Sequence, residues 1–460
     1  MTTDHAGAAS RPDDQAALGP PLWKLLHATA DALQAVRSGQ SGTAALTAVA
    51  PALRPGVQAL LFQTLRHLGR AQALRRQLAP RNPPPPVDAL LCTGLALAWN
   101  PHEAPYEPFT LVNQAVEAAK RHPATKAQAA FVNACLRRFL RERDACVAAT
   151  DADPVARWNH PTWWIEQLRK DHPQDWEHIL RANNAHAPMT LRISKQKSTP
   201  AQYIQALSAI NLIAKAVGAD GVELDQPQPV QQLPGFADGV MSVQDAAAQQ
   251  AAPLLLQGLD LSAPLRVLDA CAAPGGKTAH LLECQPPGAA WHVTALEIDA
   301  TRAERIHDTL RRLQLEAQVL IADAAQPDDW WPQSGGERFD AILLDAPCTA
   351  SGIVRRHPDV RWLRRASDIP QLAALQARLL ATLWPLVKPG GRLLYCTCSV
   401  FRAEGDAQVR SFLQRNTDAR LMPSPGHLIP GRPDKAAAVR DNPPGDHDGF
   451  FYALLHKAPA

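Results

Sequence analysis

The stretch Arg266–His280, RVLDACAAPGGKTAH, constrains the fold more than any other. Val267 and Leu268 form a short apolar run ending on Asp269, the pattern of a buried parallel strand at its carboxyl end. Small residues follow from Ala270 to Gly276, with Pro274 and two adjacent glycines among them. Lys277, Thr278 and His280 then open a helix whose apolar side continues through Leu281 and Leu282. Strand, glycine-rich turn and helix together bring backbone N–H groups and a helix N-terminus up to a ligand. Gly276-Lys277-Thr278 looks like the end of a phosphate-binding P-loop, but that motif needs a glycine where Cys271 stands. The G-x-G-x-x-G of a dinucleotide site is missing as well, which disfavours a nicotinamide-dependent oxidoreductase. A purely structural glycine turn accounts for Gly275 and Gly276, but not for the pattern downstream.

That pattern is a series of strand candidates, Val293–Glu297, Gln318–Asp323, Ala341–Asp345 and Arg392–Ser399. Helical spacing lies between them, at Ala300–Leu315 and Gln371–Val387, and Phe450–Leu455 reads as an apolar closing strand. Alternation of this kind implies an α/β domain with a largely parallel sheet and helices on both faces. Ligands bind at the carboxyl ends of such strands. Asp269, Glu297, Asp323, Asp345 and Cys398 all fall there. A single acid in such a turn is as well explained as a helix cap, but the full set is much harder to assign to chance. Glu297 suits ribose hydroxyls and Asp323 an adenine amino group.

A chain of 460 residues exceeds one ordinary core. Residues 1–20 read as a disordered tail and 21–150 as an all-α domain, with the Pro-rich run Asn82–Pro86 as an extended connector. Residues 151–235 mix helices with strands such as Met189–Ile193 and form a small α+β connecting region, and 236–460 form the α/β domain. Ser242 or Asp245 is a candidate cap for an Ala-rich helix. A net charge of +3 permits a nucleic-acid partner without demanding one. The N-terminus has no basic region followed by an apolar stretch, and no apolar run reaches membrane-spanning length, so a cytoplasmic protein with no membrane partner is expected. The eight cysteines form no C-x-x-C pair, which points to a reducing compartment, thiols free for chemistry and no metal.

Cys348 shares a tight turn with Asp345, in Asp345-Ala346-Pro347-Cys348. Methylation of cytosine at C5 needs a thiolate to add at C6, a group on the N3/N4 edge and a base for the C5 proton. Cys398, Asp345 and Cys348 supply that set. Spacing does not say which thiol attacks. Cys271 and Cys284 read as structural, and Cys396, two residues before Cys398, as core.

LDACAAPGGKT, LLDAPCTASGIVRRHPDVRWLR and LLYCTCSVFRAEG resemble the Nop/Sun family of RNA cytosine-5 methyltransferases, and most nearly its branch acting on bacterial 16S rRNA. HPTWWIEQLRK, NNAHAPMTLRI, LPGFADGVMSVQDAAAQ and VNACLRRFLRE look like the same branch, so the resemblance covers roughly residues 21 to 455. It implies a seven-stranded Rossmann-like methyltransferase sheet, an N-terminal helical RNA-binding domain similar to NusB, and S-adenosyl-L-methionine as cofactor. Cys271, Ala272, Ala273, Pro274, Gly275, Gly276, Lys277, Glu297, Asp323 and Asp345 would bind it. By resemblance, Cys398 is the nucleophile and Cys348 assists product release. Cys396 departs from the pattern, which has a small residue there.

Arg355-Arg356-His357-Pro358-Asp359-Val360-Arg361-Trp362-Leu363-Arg364-Arg365 carries five arginines against one acid. Arg355, Arg356, Arg361 and Trp362 are therefore candidate RNA contacts, through phosphate pairing and base stacking. Arg137 and Arg138, near the end of the Ala127–Arg141 helix, are candidates too, although a solvated helix face explains them equally well. The expected partner is 16S rRNA, bound by a monomer. The alternative is a non-enzymatic RNA-binding or assembly protein that has lost cofactor affinity.

Overall fold

The computed structural model describes residues 19–431 and 446–459, so most of the tail expected at 1–20 lies outside the described residues. The chain divides into two compact units, Met1–His160 and Pro161–Ala460.

The first unit is helical. Its centre is the helix Pro85–Ala98, in which every residue from Ala89 to Ala98 is buried. A helix that is apolar all round has to be enclosed by others. This helix corrects one expectation, since Pro85 and Pro86 belong to its first turn instead of an extended connector. Proline is tolerated there because the first N–H groups of a helix have no partner to lose. The helix Ala129–Arg141 is amphipathic as its spacing requires. Val132, Cys135, Leu136 and Phe139 face inward, and Arg137 and Arg138 are exposed.

The second unit holds two sheets. The smaller contains β1 (Met189–Ile193), β2 (Ala214–Val217), β3 (Gly221–Leu224) and β4 (Met241–Val243), ordered β2-β3-β1-β4 with all pairs antiparallel. Leu191, Ile193, Tyr203, Leu207 and Met241 form its core. Ser242 lies in β4, so it opens no helix. Asp245 accepts from Ala247 N at 2.9 Å, just ahead of a short helical stretch.

The larger sheet contains β5 (Arg266–Asp269), β6 (His292–Glu297), β7 (Gln318–Ile321), β8 (Phe339–Asp345), β9 (Val387–Thr397), β10 (Ala419–Leu428) and β11 (Phe450–Lys457). Its seven strands run in the order β10-β11-β9-β8-β5-β6-β7. β5 to β9 are mutually parallel, and β11 is antiparallel to β9 and to β10. Alternate residues feed the two faces. Val267, Leu343 and Leu394 pack on one helical layer with Leu281 and Ile306, and Leu268, Ile342 and Tyr395 pack on the other with Leu379 and Phe412. β11 is an inner strand, not the closing one. The sheet closes on β10, which carries Pro423, Pro425 and a break in register between Met422 and Gly426. An edge strand accepts prolines because its outer N–H groups need no ladder partner. Among the described residues no helix is long and apolar enough to cross a membrane.

Candidate active site

β5 is flanked by β6 on one side and β8 on the other, so the chain leaves the centre of the sheet in both lateral directions. A crevice opens at such a point. Cys271, Glu297, Asp323, Asp345, Cys348 and Cys398 line one cleft there, of about 540 Å³.

The loop after β5 is built by its own backbone. Ala272 N donates to Leu296 O at 2.8 Å, Gly275 N to Ala272 O at 2.7 Å, and Pro274 O accepts from Thr309 Oγ1 at 2.8 Å. Gly275 has φ +92°, and a Cβ there would lie 3.1 Å from Ile306 Cα, so two separate reasons require glycine. Gly276 then starts the helix Gly276–Glu283. Asp269 is buried and accepts from Thr278 Oγ1 at 2.6 Å; burial raises its pKa to about 6 against that hydrogen bond. Lys277 Nζ donates to Asp345 Oδ2 at 2.6 Å. Burial alone would lower the Lys277 pKa, but the Asp345 carboxylate reverses the effect and raises it.

Glu297 accepts from Asp299 N at 3.2 Å and pairs with Arg302 at 3.3 Å. Asp323 lies two residues beyond the end of β7, in a turn where it accepts from Ala325 N at 2.9 Å. Ile298 is 65% exposed, an apolar side chain standing at the cleft. Carboxylates for ribose hydroxyls and an amino group, an apolar wall for a purine and Asp345 for a positive centre fit S-adenosylmethionine. Among the described residues no group of three His, Cys, Asp or Glu side chains could hold a metal ion.

The two thiols meet. Cys348 Sγ and Cys398 Sγ are 3.4 Å apart. The hydrogen bond with Cys398, and then burial, push the Cys348 thiol well above the ordinary cysteine range. Cys396 is fully buried, with Sγ 3.5 Å from Asp345 Oδ1, and it belongs to the core. Burial also raises the thiols of Cys271 and Cys284, the latter to about 11.

Comparison with known proteins decides the family. Ribosomal RNA small subunit methyltransferase B of Vibrio cholerae serotype O1 is 40% identical, over 95% of this chain and 98% of its own length. The chain belongs to the RsmB/F family of 16S rRNA methyltransferases. The namesake from Xanthomonas campestris is 43% identical over 91% of this chain and 94% of its own. The family model "16S rRNA methyltransferase RsmB/F" matches residues 257–456, the ferredoxin-like domain model of RsmF/B-like proteins matches 160–231, and the NusB family model matches 26–141. The solved structure of PH0851 shares the fold, with TM-score 0.72 and 24% identity over 96% of this chain and 100% of that one. S-adenosylmethionine is the cofactor of this RsmB/F member.

Three arginines of this RsmB/F chain lie elsewhere than expected. Arg355 is 1% exposed and bonds Asp448 Oδ1 at 2.5 Å and Asp446 at 2.7 Å. Arg356 bonds Asp448 and also Asp245, the latter at 2.8 Å. Arg361 is fully buried and donates to Asn183 O at 2.6 Å and to Asn184. Arg355 and Arg361 are buried and Arg356 is committed to two carboxylates, which corrects the reading of these three as surface phosphate contacts. The acids that claim Arg355 lie more than ninety residues downstream, so local charge could not reveal them. Trp362 is partly buried. Arg364 lines the cleft and donates to the carbonyls of Thr349 and Cys348 at 3.1 and 3.2 Å.

Arg192 escaped the sequence reading. It is fully buried on β1 and grips Glu283 with two hydrogen bonds of 2.9 and 3.0 Å. It also donates to Gly276 O at 2.8 Å and to Gln244, so it fixes the loop after β5 from behind. In the alternating run MTLRI, Arg192 falls on the face opposite Leu191 and Ile193, where a polar side chain is ordinary, so the sequence offered no signal.

Proposed function

We propose that this protein methylates C5 of a cytosine in 16S ribosomal RNA through a covalent bond between Cys398 and C6 of the base. The observation that carries the reading is the pair of thiols 3.4 Å apart, beside Asp345 in the cofactor cleft. The target base must leave its stack to reach them. S-adenosylmethionine supplies an electrophilic methyl group. Asp345 hydrogen-bonds the N4 edge of the cytosine and Lys277 holds that carboxylate in place. Cys398 gives its proton to solvent and adds to C6 as the thiolate, and the displaced C5–C6 π electrons make C5 nucleophilic enough to take the methyl group. Loss of the C5 proton then restores the double bond and expels Cys398 as a thiolate. Cys348, 3.4 Å from Cys398, takes that proton in its deprotonated form. The exposed Arg137 and Arg138 and the partly buried Trp362 are proposed RNA contacts.

The product tests this directly. After reaction with small-subunit RNA, nucleoside analysis is expected to give 5-methylcytidine; methyl on N4, on a ribose oxygen or on another base would overturn the reading. A pH dependence follows for Cys348: the hydrogen bond with Cys398 and burial raise its thiol, and burial persists while Cys398 is bonded to the base. Its thiolate fraction grows with pH throughout the range below that raised pKa. The release step, followed in a single turnover, is therefore expected to speed up by about tenfold per pH unit through neutrality. Release that is flat or slower as pH rises would remove Cys348 as the base.

A further inference from the structure

Glu404 is a fully buried carboxylate in the turn Arg402–Glu404, just past the second thiol. Its Oε1 accepts from Thr349 N at 2.9 Å and from Gln376 Nε2 at 3.1 Å. Its Oε2 accepts from Thr349 Oγ1 at 2.5 Å and from Ser399 Oγ at 2.6 Å. Thr349 directly follows Cys348, and Ser399 directly follows Cys398. One carboxylate therefore bonds the next residue after each thiol. Gln376 extends the grip to the other side of Cys348, donating to Pro347 O at 2.9 Å. Tyr395 OH donates to Glu404 O at 2.7 Å, which ties the turn to β9.

A carboxylate without partners could not remain at this depth. Burial raises the Glu404 pKa, and the hydrogen bonds from Ser399, Thr349 and Gln376 oppose that rise. A carboxylate offers about four acceptor sites, and four donors occupy them here. No smaller or apolar side chain could hold two separate loops in this way. Glu404 is absent from the cleft wall, so it acts through its neighbours and not on substrate.

We infer that Glu404 is a positioning residue that sets the separation and aim of Cys348 and Cys398, an inference that rests on reading those two as the reacting thiols. Group-transfer geometry is steep, and a displacement of about 1 Å costs on the order of a hundredfold in rate. Deleting the clamp should therefore reduce turnover while leaving the cofactor loop, built on other elements, unaffected.

The test compares the full-length chain with Glu404→Ala and Glu404→Gln. It reads kcat, KM for RNA, cofactor affinity, and capture of the thiol pair by phenylarsine oxide. That arsenical binds two neighbouring thiols with loss of one water, and its site is mapped to Cys348 and Cys398 by peptide analysis. Glu404→Ala is expected to lose about a hundredfold in kcat, with KM and cofactor Kd within about twofold of wild type. Its arsenical affinity is expected to fall about tenfold as the two thiols drift apart. Glu404→Gln keeps the side-chain length and an acceptor for Thr349 N, and is expected to stay within about tenfold of the wild-type kcat. Wild-type kcat or wild-type arsenical capture in Glu404→Ala would overturn the inference. Glu404→Gln as slow as Glu404→Ala would also overturn it, because charge and not placement would then matter. If Glu404→Ala does not fold, Thr349→Val takes its place, with a fall of about tenfold in kcat expected and no change as the overturning result. Arsenical capture needs no RNA. Reduced capture in Glu404→Ala alongside no 5-methylcytidine from the wild type would sink the proposed reaction and leave the clamp standing.

Discussion

Replacing Cys398 with alanine is expected to abolish methyl transfer and leave S-adenosylmethionine bound as tightly as before. On the proposed mechanism, C5 of cytosine is too weak a nucleophile to take a methyl group unaided, so every turnover would pass through addition at C6. Removing the only group that adds leaves positioning and electrostatics alone, a loss on the order of 10⁴-fold or more. Cofactor affinity is a separate matter. The loop from Cys271 to Lys277 is held by Leu296 O, Thr309 and Arg192, and none of those bonds involves Cys398. The variant should therefore bind the cofactor with the wild-type Kd, measured calorimetrically, while making no 5-methylcytidine. Cys398→Ala turning over at the wild-type rate would mean that the other thiol, or none, attacks.

Replacing Asp448 with alanine is expected to cost about 3–5 kcal/mol of stability, read from urea unfolding. Asp448 is 1% exposed and lies between the guanidinium groups of Arg355 and Arg356. Removing it takes a charge-assisted hydrogen bond from each guanidinium and leaves Arg355 with Asp446 and Arg356 with Asp245. The neighbouring backbone allows little adjustment. Gly449 N donates to Gly352 O at 2.9 Å, and a Cβ on Gly352 would lie 1.9 Å from Gly449 O. RNA affinity and its salt dependence should stay near wild type once the folded fraction is accounted for, because both guanidinium groups keep a carboxylate partner, Asp446 for Arg355 and Asp245 for Arg356. An unchanged urea midpoint together with weakened RNA binding would restore them as phosphate contacts.

Most of the residues that line the cleft were legible in the sequence because their signals are local. Asp269 to Lys277 is one continuous turn, and each acid that follows ends its own strand or stands just past it. The two thiols could be placed on neighbouring strand ends, but not ranked. What stayed hidden was long-range. Whether Arg355 faces water or a buried acid depends on Asp446 and Asp448, far along the chain. Arg192 reads as an ordinary strand residue until the helix Gly276–Glu283 packs against it. Glu404 sits in a short turn with no periodicity, and its meaning lies in residues contributed by two other loops. β10 was missed because Pro423 and Pro425 argue against a strand in isolation, and only its place at the sheet edge makes them acceptable.

The most direct measurement uses Cys348→Ala with small-subunit RNA and S-adenosylmethionine, followed by proteolysis and mass analysis of any RNA-linked peptide. With the release base gone, a covalent protein–RNA species should accumulate, and its methylated pyrimidine should sit on the peptide carrying Cys398. A link to any other residue, or 5-methylcytidine released at the wild-type rate with no linked species at any time, would contradict it.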